Sequence, residues 1–253
     1  PPPVGATDDG MPTVKNAPRH GLAHFTQADK PDFQPCHDDF PLTLNSMPVR
    51  MLQQRTRKRK TTTMRIVGGK HRGRRLESPA GMDIRPTSDR AREALFNILS
   101  HGKYAGEDGA APLGQSVLDV FAGTGAMGLE ALSRGAASVC FIEQNRTAAR
   151  QIMVMAKDMG EADAVNVITR DATKPGPARE NFDLVLMDAP YRMGQSEPSL
   201  AALAGFGWLR AGSICCVELA KGEDFAAGED FEVLDERTYG AARIVILRWN
   251  GKT

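Results

Sequence analysis

From residue 64 onward, apolar positions fall into two alternating periods. Short apolar runs occupy 116–120, 138–142, 165–169, 182–187 and 213–219. Runs of this length, mainly apolar and bounded by turn residues, predict strands, with 213–219 a buried one. Between them, apolar residues spaced at three and four predict helices over 126–134, 145–159 and 199–209. The last two runs, 231–238 and 243–249, are joined through Tyr239-Gly240 and predict an antiparallel hairpin. Alternating strands and helices mean a parallel sheet with helices on both faces. The expected fold class is therefore α/β, with a seven-stranded, mainly parallel sheet finished by a C-terminal antiparallel hairpin.

A smaller element precedes this series. Met64-Arg-Ile-Val-Gly-Gly and Arg74-Arg-Leu-Glu read as two short strands around a glycine turn, a small N-terminal β-hairpin. A helix is predicted over 88–100, with Thr87 or Ser88 as N-cap and Asp89 in the first turn. Ala91, Leu95, Ile98 and Leu99 form its apolar stripe, and a Gly/Ala-rich loop spans 102–114.

Composition changes the picture for the first 63 residues. They hold nine of the sixteen prolines and only Phe25, Phe33 and Phe40 as aromatics. Such a segment buries too little apolar surface to offset its ordering, so disorder is expected. It lacks the layout of a secretory signal, and Asp8, Asp9 and Asp29 argue against a transit peptide. A reading frame running ahead of a start at Met64 is the other reading. Three regions follow: 1–63 disordered and basic toward its end, 64–100 a basic hairpin and helix, and 101–253 a catalytic domain. No apolar run approaches the roughly 18 residues of a membrane span, so no membrane partner is expected.

The net charge of +1 conceals an asymmetry. Eleven Lys or Arg residues and no Asp or Glu lie between Arg50 and Arg75, the footprint of a polyanion partner or of a solvated basic tail. Cys140, Cys215 and Cys216 sit in apolar runs, and Cys36 stands apart, so a reducing cytoplasm fits better than a disulfide framework. Cys215 and Cys216 must point to opposite faces of a strand. His20, His24, Cys36 and His37 lie in unpatterned sequence, and no metal is expected.

The chemistry concentrates at two strand ends. Val117-Leu-Asp-Val-Phe-Ala-Gly-Thr-Gly-Ala-Met-Gly128 runs from a strand through Gly123, Thr124, Gly125 and Gly128 into a helix. Such a loop lets a ligand approach bare backbone, and Glu143 at the next strand end suits ribose hydroxyls. By spacing alone this is also a dinucleotide fingerprint, so a nicotinamide-dependent oxidoreductase competes. Asp119, just before Phe121 and the loop, favours a cationic ligand, because an acid facing a pyrophosphate is repelled. Asp119 would hold the ammonium of S-adenosyl-L-methionine, and Asp171-Ala172 would accept from its adenine amino group.

The run 183–187 ends in Asp188-Ala189-Pro190-Tyr191. Ligands of open α/β sheets bind beyond the carboxyl ends of strands. A base amine is a weak nucleophile because its lone pair is delocalised into the ring. A carboxylate and a backbone carbonyl accepting its two N–H bonds would free that lone pair for in-line attack. Tyr191 offers a face for a splayed-out base.

These residues resemble the bacterial RsmD-type 16S rRNA guanine-N2 methyltransferases. The resemblance rests on Met64-Arg-Ile-Val-Gly-Gly-Lys-His-Arg-Gly, on Arg85-Pro-Thr-Ser-Asp-Arg-Ala-Arg-Glu-Ala-Leu-Phe-Asn-Ile-Leu99 and on the glycine-loop block through Ala136. It implies a class I S-adenosylmethionine-dependent methyltransferase of Rossmann-like build. It further implies methylation of one guanine of 16S rRNA, of the guanine 966 type, within a 30S assembly particle, by a cytoplasmic monomer. Arg65, Lys70, Arg72, Arg74 and Arg75 would hold RNA phosphates, and Arg85 and Arg90 would reach the cofactor or the flipped nucleotide. The family pattern has two prolines after the Asp or Asn, whereas this chain has Ala189 first. Alanine keeps the carbonyl and loses the fixed φ, so retained, at most weakened, activity is expected. Adenine-N6 methylation and a non-catalytic RNA-binding role are the remaining alternatives.

Overall fold

The computed structural model describes residues 64–77, 89–101, 104 and 110–251. The expectations for 1–63, for Arg85, for the caps Thr87 and Ser88 and for His20, His24, Cys36 and His37 lie outside the described residues. In chain order the elements are β1 (Met64–Arg65), β2 (Arg75–Leu76), α1 (Asp89–Ser100), β3 (Ser116–Val120), α2 (Ala126–Ser133), β4 (Ser138–Ile142) and α3 (Arg146–Asp158). They continue as β5 (Val165–Ile168), β6 (Phe182–Asp188), α4 (Ser196–Gly205), β7 (Leu209–Ala220), β8 (Phe231–Tyr239) and β9 (Ala242–Trp249).

The seven-stranded sheet has the order β5-β4-β3-β6-β7-β9-β8. The first five strands of that order are parallel, and β9 and β8 close it antiparallel. β1 and β2 pair as the separate N-terminal hairpin. Strand alternation feeds two cores. Val117, Phe141, Leu184 and Cys216 face the hairpin and helices α1 to α3. Leu118, Ile142, Val185 and Cys215 face α4 with Trp208 and Trp249. Cys215 and Cys216 thus point to opposite faces, and burial pushes the thiols of Cys140 and Cys215 up to about 12, which keeps them inert.

Two elements differ from expectation. The helix expected over 199–209 begins at Ser196 and ends at Gly205. Pro198 is tolerated in a first turn, whose N–H groups have no intrahelical partner. Beyond the helix, Leu209 already pairs with Phe182, so β7 starts well before 213.

The hairpin is pinned to the main body by a buried carboxylate. Glu130 of α2 is fully buried and accepts the N–H groups of Val67 and Gly68, each at 2.8 Å, and Nε of Arg134 at 2.7 Å. Arg92 of α1, also fully buried, lies 3.6 Å from the same carboxylate and binds Asp89 at 2.8 Å. Gly69, at φ +72, presses against α2 so closely that a Cβ there would meet the Ser133 carbonyl oxygen at 1.8 Å.

Candidate active site

The chain order of the strands reverses between β3 and β6, a topological switch point that opens a crevice at the carboxyl ends. The register pairs Val120 with both Ile142 and Met187, so Phe121, Glu143 and Asp188 leave the sheet side by side. A cavity of about 610 Å³ sits there, within the usual size range for small-molecule sites. Asp119, Phe121, Gly123, Thr124, Glu143, Ala172, Asp188, Ala189, Pro190 and Tyr191, all singled out from sequence, line it.

The glycines divide the work. Gly123 faces the cavity, whereas Gly125 and Gly128 lie behind it. A Cβ on Gly128 would meet Phe141 Cε1 at 2.3 Å, so this glycine lets α2 press onto β4. Gly125, at φ +74, is the N-cap of α2. Phe121 holds φ 60 at the exit of β3. A side chain in this sparsely populated region stores strain, a feature concentrated at ligand-binding turns.

Asp119 is 2% exposed, and its Oδ2 accepts the Gly128 N–H at 2.8 Å in the first turn of α2. Burial pushes its carboxyl well above the usual range, Asp188 and Glu143 add to the rise, and the Gly128 hydrogen bond opposes it. A buried carboxyl flanked by two others is placed to take a cation, which fits the ammonium of S-adenosylmethionine and disfavours a pyrophosphate. Glu143 accepts the N–H of Gly123 at 2.7 Å and of Asn145 at 2.6 Å. A carboxylate has about four acceptor sites, which leaves capacity for ribose hydroxyls on the cavity side.

Asp171 stands apart. It is exposed, does not line the cavity, and its Oδ1 accepts Thr173 N–H at 2.9 Å and Thr173 Oγ1 at 2.8 Å. Those two bonds hold its carboxyl below the usual range. Its neighbours Arg170 and Ala172 line the wall instead.

Several wall residues carried no sequence signature. Met64 of β1, Ala91 of α1 and Tyr239 at the β8–β9 turn all line the cavity. Glu218 of β7 is the most consequential, because it is buried and accepts the Tyr191 hydroxyl at 2.5 Å. A lone charge inside the apolar run Ile214-Cys-Cys-Val-Glu-Leu219 was the available signal.

The basic residues separate into two groups. Arg65, Arg72 and Arg75 of the hairpin and Arg90 of α1 are exposed. Lys70 binds Glu161 at 2.7 Å, and His71 binds the same oxygen at 2.6 Å. Burial alone would raise the Glu161 carboxyl, but the hydrogen bonds and charges of His71 and Lys70 hold it below its usual range. The Arg74 guanidinium donates to the Asp158 carbonyl at the end of α3, where a cation complements the helix dipole. Lys70 and Arg74 therefore tether the hairpin to α3 and its following turn. Among the described residues no cluster of His, Cys, Asp or Glu is arranged to hold a metal ion, and no helix is long and apolar enough to cross a membrane.

Comparison with known proteins places this geometry. The family described as "Conserved hypothetical protein 95" matches residues 64–248. The chain is 32% identical over 181 residues to "Ribosomal RNA small subunit methyltransferase D" of Haemophilus influenzae, covering 70% of this chain and 89% of that protein. It is 37% identical over 159 residues to the protein of the same name from Escherichia coli, covering 61% and 74%. Among solved structures, the candidate methyltransferase yhhF from Escherichia coli superposes with a TM-score of 0.62 at 29% identity, covering 75% of this chain and 99% of that one. With the switch-point cavity, the glycine loop and the buried Asp119, these matches make the chain a member of the Conserved hypothetical protein 95, or RsmD, family, with the class I methyltransferase fold and S-adenosylmethionine as methyl donor.

Proposed function

We propose that this protein methylates the exocyclic N2 of a guanine in 16S rRNA, of the guanine 966 type, within a 30S assembly particle. The observation that carries this reading is that Asp188-Ala-Pro-Tyr191 and the glycine loop share one cavity. Small-subunit rRNA as the substrate class is supported by the names of the relatives, and guanine N2 by the resemblance of the sequence blocks.

When bound, S-adenosylmethionine supplies a methyl group on a cationic sulfur. Asp119 holds its ammonium group, Glu143 its ribose hydroxyls, and the backbone at Gly123 and Ala172 completes the cradle. Asp188 accepts one N–H of the base amine and the Ala189 carbonyl accepts the other. Both bonds draw the nitrogen toward tetrahedral geometry, and the Asp188 carboxylate is placed to take up the displaced proton. Catalysis is then mainly positioning. Tyr191 gives the extruded base a stacking face. The hairpin and α1 hold the RNA through Arg65, Arg72, Arg75 and Arg90, and the enzyme works as a cytoplasmic monomer.

The test is a panel of unmethylated 30S particles, naked 16S rRNA and DNA incubated with tritiated donor. Label on the 30S particle is the expected result. Label on DNA alone, or none on any RNA while the donor binds normally, contradicts the proposal.

A further inference from the structure

Asp188 and Glu218 are partners in the parallel register of β6 and β7, and both line the cavity. Glu218 is only 6% exposed, and its Oε1 accepts the Tyr191 hydroxyl at 2.5 Å. A second stitch follows at once. Arg192, at φ 59, donates its N–H to Glu223 Oε1 at 2.9 Å, and the other Glu223 oxygen accepts the Ala220 N–H at 2.9 Å. The segment leaving Asp188 is thus fastened at two points to the end of β7.

Core packing does not explain a carboxylate at this place, since burying one is costly without a compensating hydrogen bond. We propose that Glu218 is a positioning residue for methyl transfer and acts through Tyr191. This rests on the reading that Asp188 to Tyr191 receive the base. By accepting the phenol hydroxyl, Glu218 holds the far end of the Tyr191 ring in place and so fixes the torsion about its Cα–Cβ bond. Without that anchor the ring turns about its Cα–Cβ bond, and the base loses the orientation that in-line attack requires.

The experiment compares wild type with Tyr191→Phe, Glu218→Gln, Glu218→Ala and Tyr191→Phe/Glu218→Ala on unmethylated 30S particles. It reads kcat, KM for the particle, donor affinity and Tm. Tyr191→Phe and Glu218→Ala should each lower kcat about tenfold, the scale of one hydrogen bond to a charged group. The double variant should fall no further than either single one. Glu218→Gln keeps an acceptor and should stay within about threefold of wild type. Donor affinity should hold within about twofold in all four. Full activity in Glu218→Ala, or losses that multiply in the double variant, overturns the proposal and leaves the functional reading standing. Tyr191→Phe and Glu218→Gln change few atoms, so they decide the matter even if Glu218→Ala folds poorly. No transfer by wild type overturns both.

Discussion

Asp119 shows what one residue decides. Its position was legible because an acid directly before a glycine loop is anomalous for a phosphate ligand and apt for a cation. Its surroundings were not legible, since Asp188 and Glu143 reach it only through the sheet register. With burial and two carboxyl neighbours raising it, Asp119 retains its proton above the ordinary range of about 4. A bound ammonium favours the carboxylate, so donor binding releases a proton and affinity rises with pH until the raised value is passed. Calorimetry in buffers of different ionisation heat reads this release, and Asp119→Asn should bind weakly with a flat pH profile. Proton uptake on binding would contradict the assignment. Asp171, expected from its strand-end position to accept from adenine, stands outside the cavity lining with its Oδ1 on the Thr173 N–H and hydroxyl. Gly128 was legible as a loop glycine but not as a packing surface. Gly128→Ala should cost about 1–3 kcal/mol through overpacking against Phe141, measurable as a lower Tm.

Among elements, the strands of the parallel series were the most legible. Runs such as 116–120 and 138–142 are mainly apolar and sharply bounded, and they match β3 and β4 residue for residue. The α4 helix was less so, because Pro198 resembles a breaker and the stop at Gly205 is followed by more apolar residues that belong to β7. The N-terminal hairpin was legible as two basic strands, while its attachment was hidden. Glu130 looks like an ordinary helix glutamate, yet it collects two hairpin N–H groups, the buried Arg92 and the half-buried Arg134. Glu130→Ala leaves the Arg92 charge buried without this partner and should cost about 3–5 kcal/mol, read from chemical denaturation. Because Lys70 and Arg74 are engaged in tethering, Arg72 and Arg75 are the sharper choice for neutralisation. Replacing both by Gln should weaken RNA binding and flatten the slope of log K against log salt by about 0.7–0.9 for each phosphate no longer neutralised. An unchanged slope removes the hairpin from the RNA interface.

At the scale of the whole molecule, strand and helix alternation foretold a mainly parallel sheet, and Tyr239-Gly240 its antiparallel finish. The strand order β5-β4-β3-β6-β7-β9-β8 was not readable, because order depends on which edges pair rather than on local pattern. That order makes the site. It sets the glycine loop beside Asp188, brings Glu218 opposite Asp188, and lets Met64 and Ala91 form a wall at which the basic hairpin and α1 meet the cavity. The most direct test of this arrangement gives wild type and Asp188→Ala to unmethylated 30S particles with labelled donor, then identifies the methylated nucleoside. The expected result is N2-methylguanosine from wild type, loss of at least about 100-fold in the variant, and donor binding intact in both. Label in N6-methyladenosine, or undiminished transfer by Asp188→Ala, would contradict it.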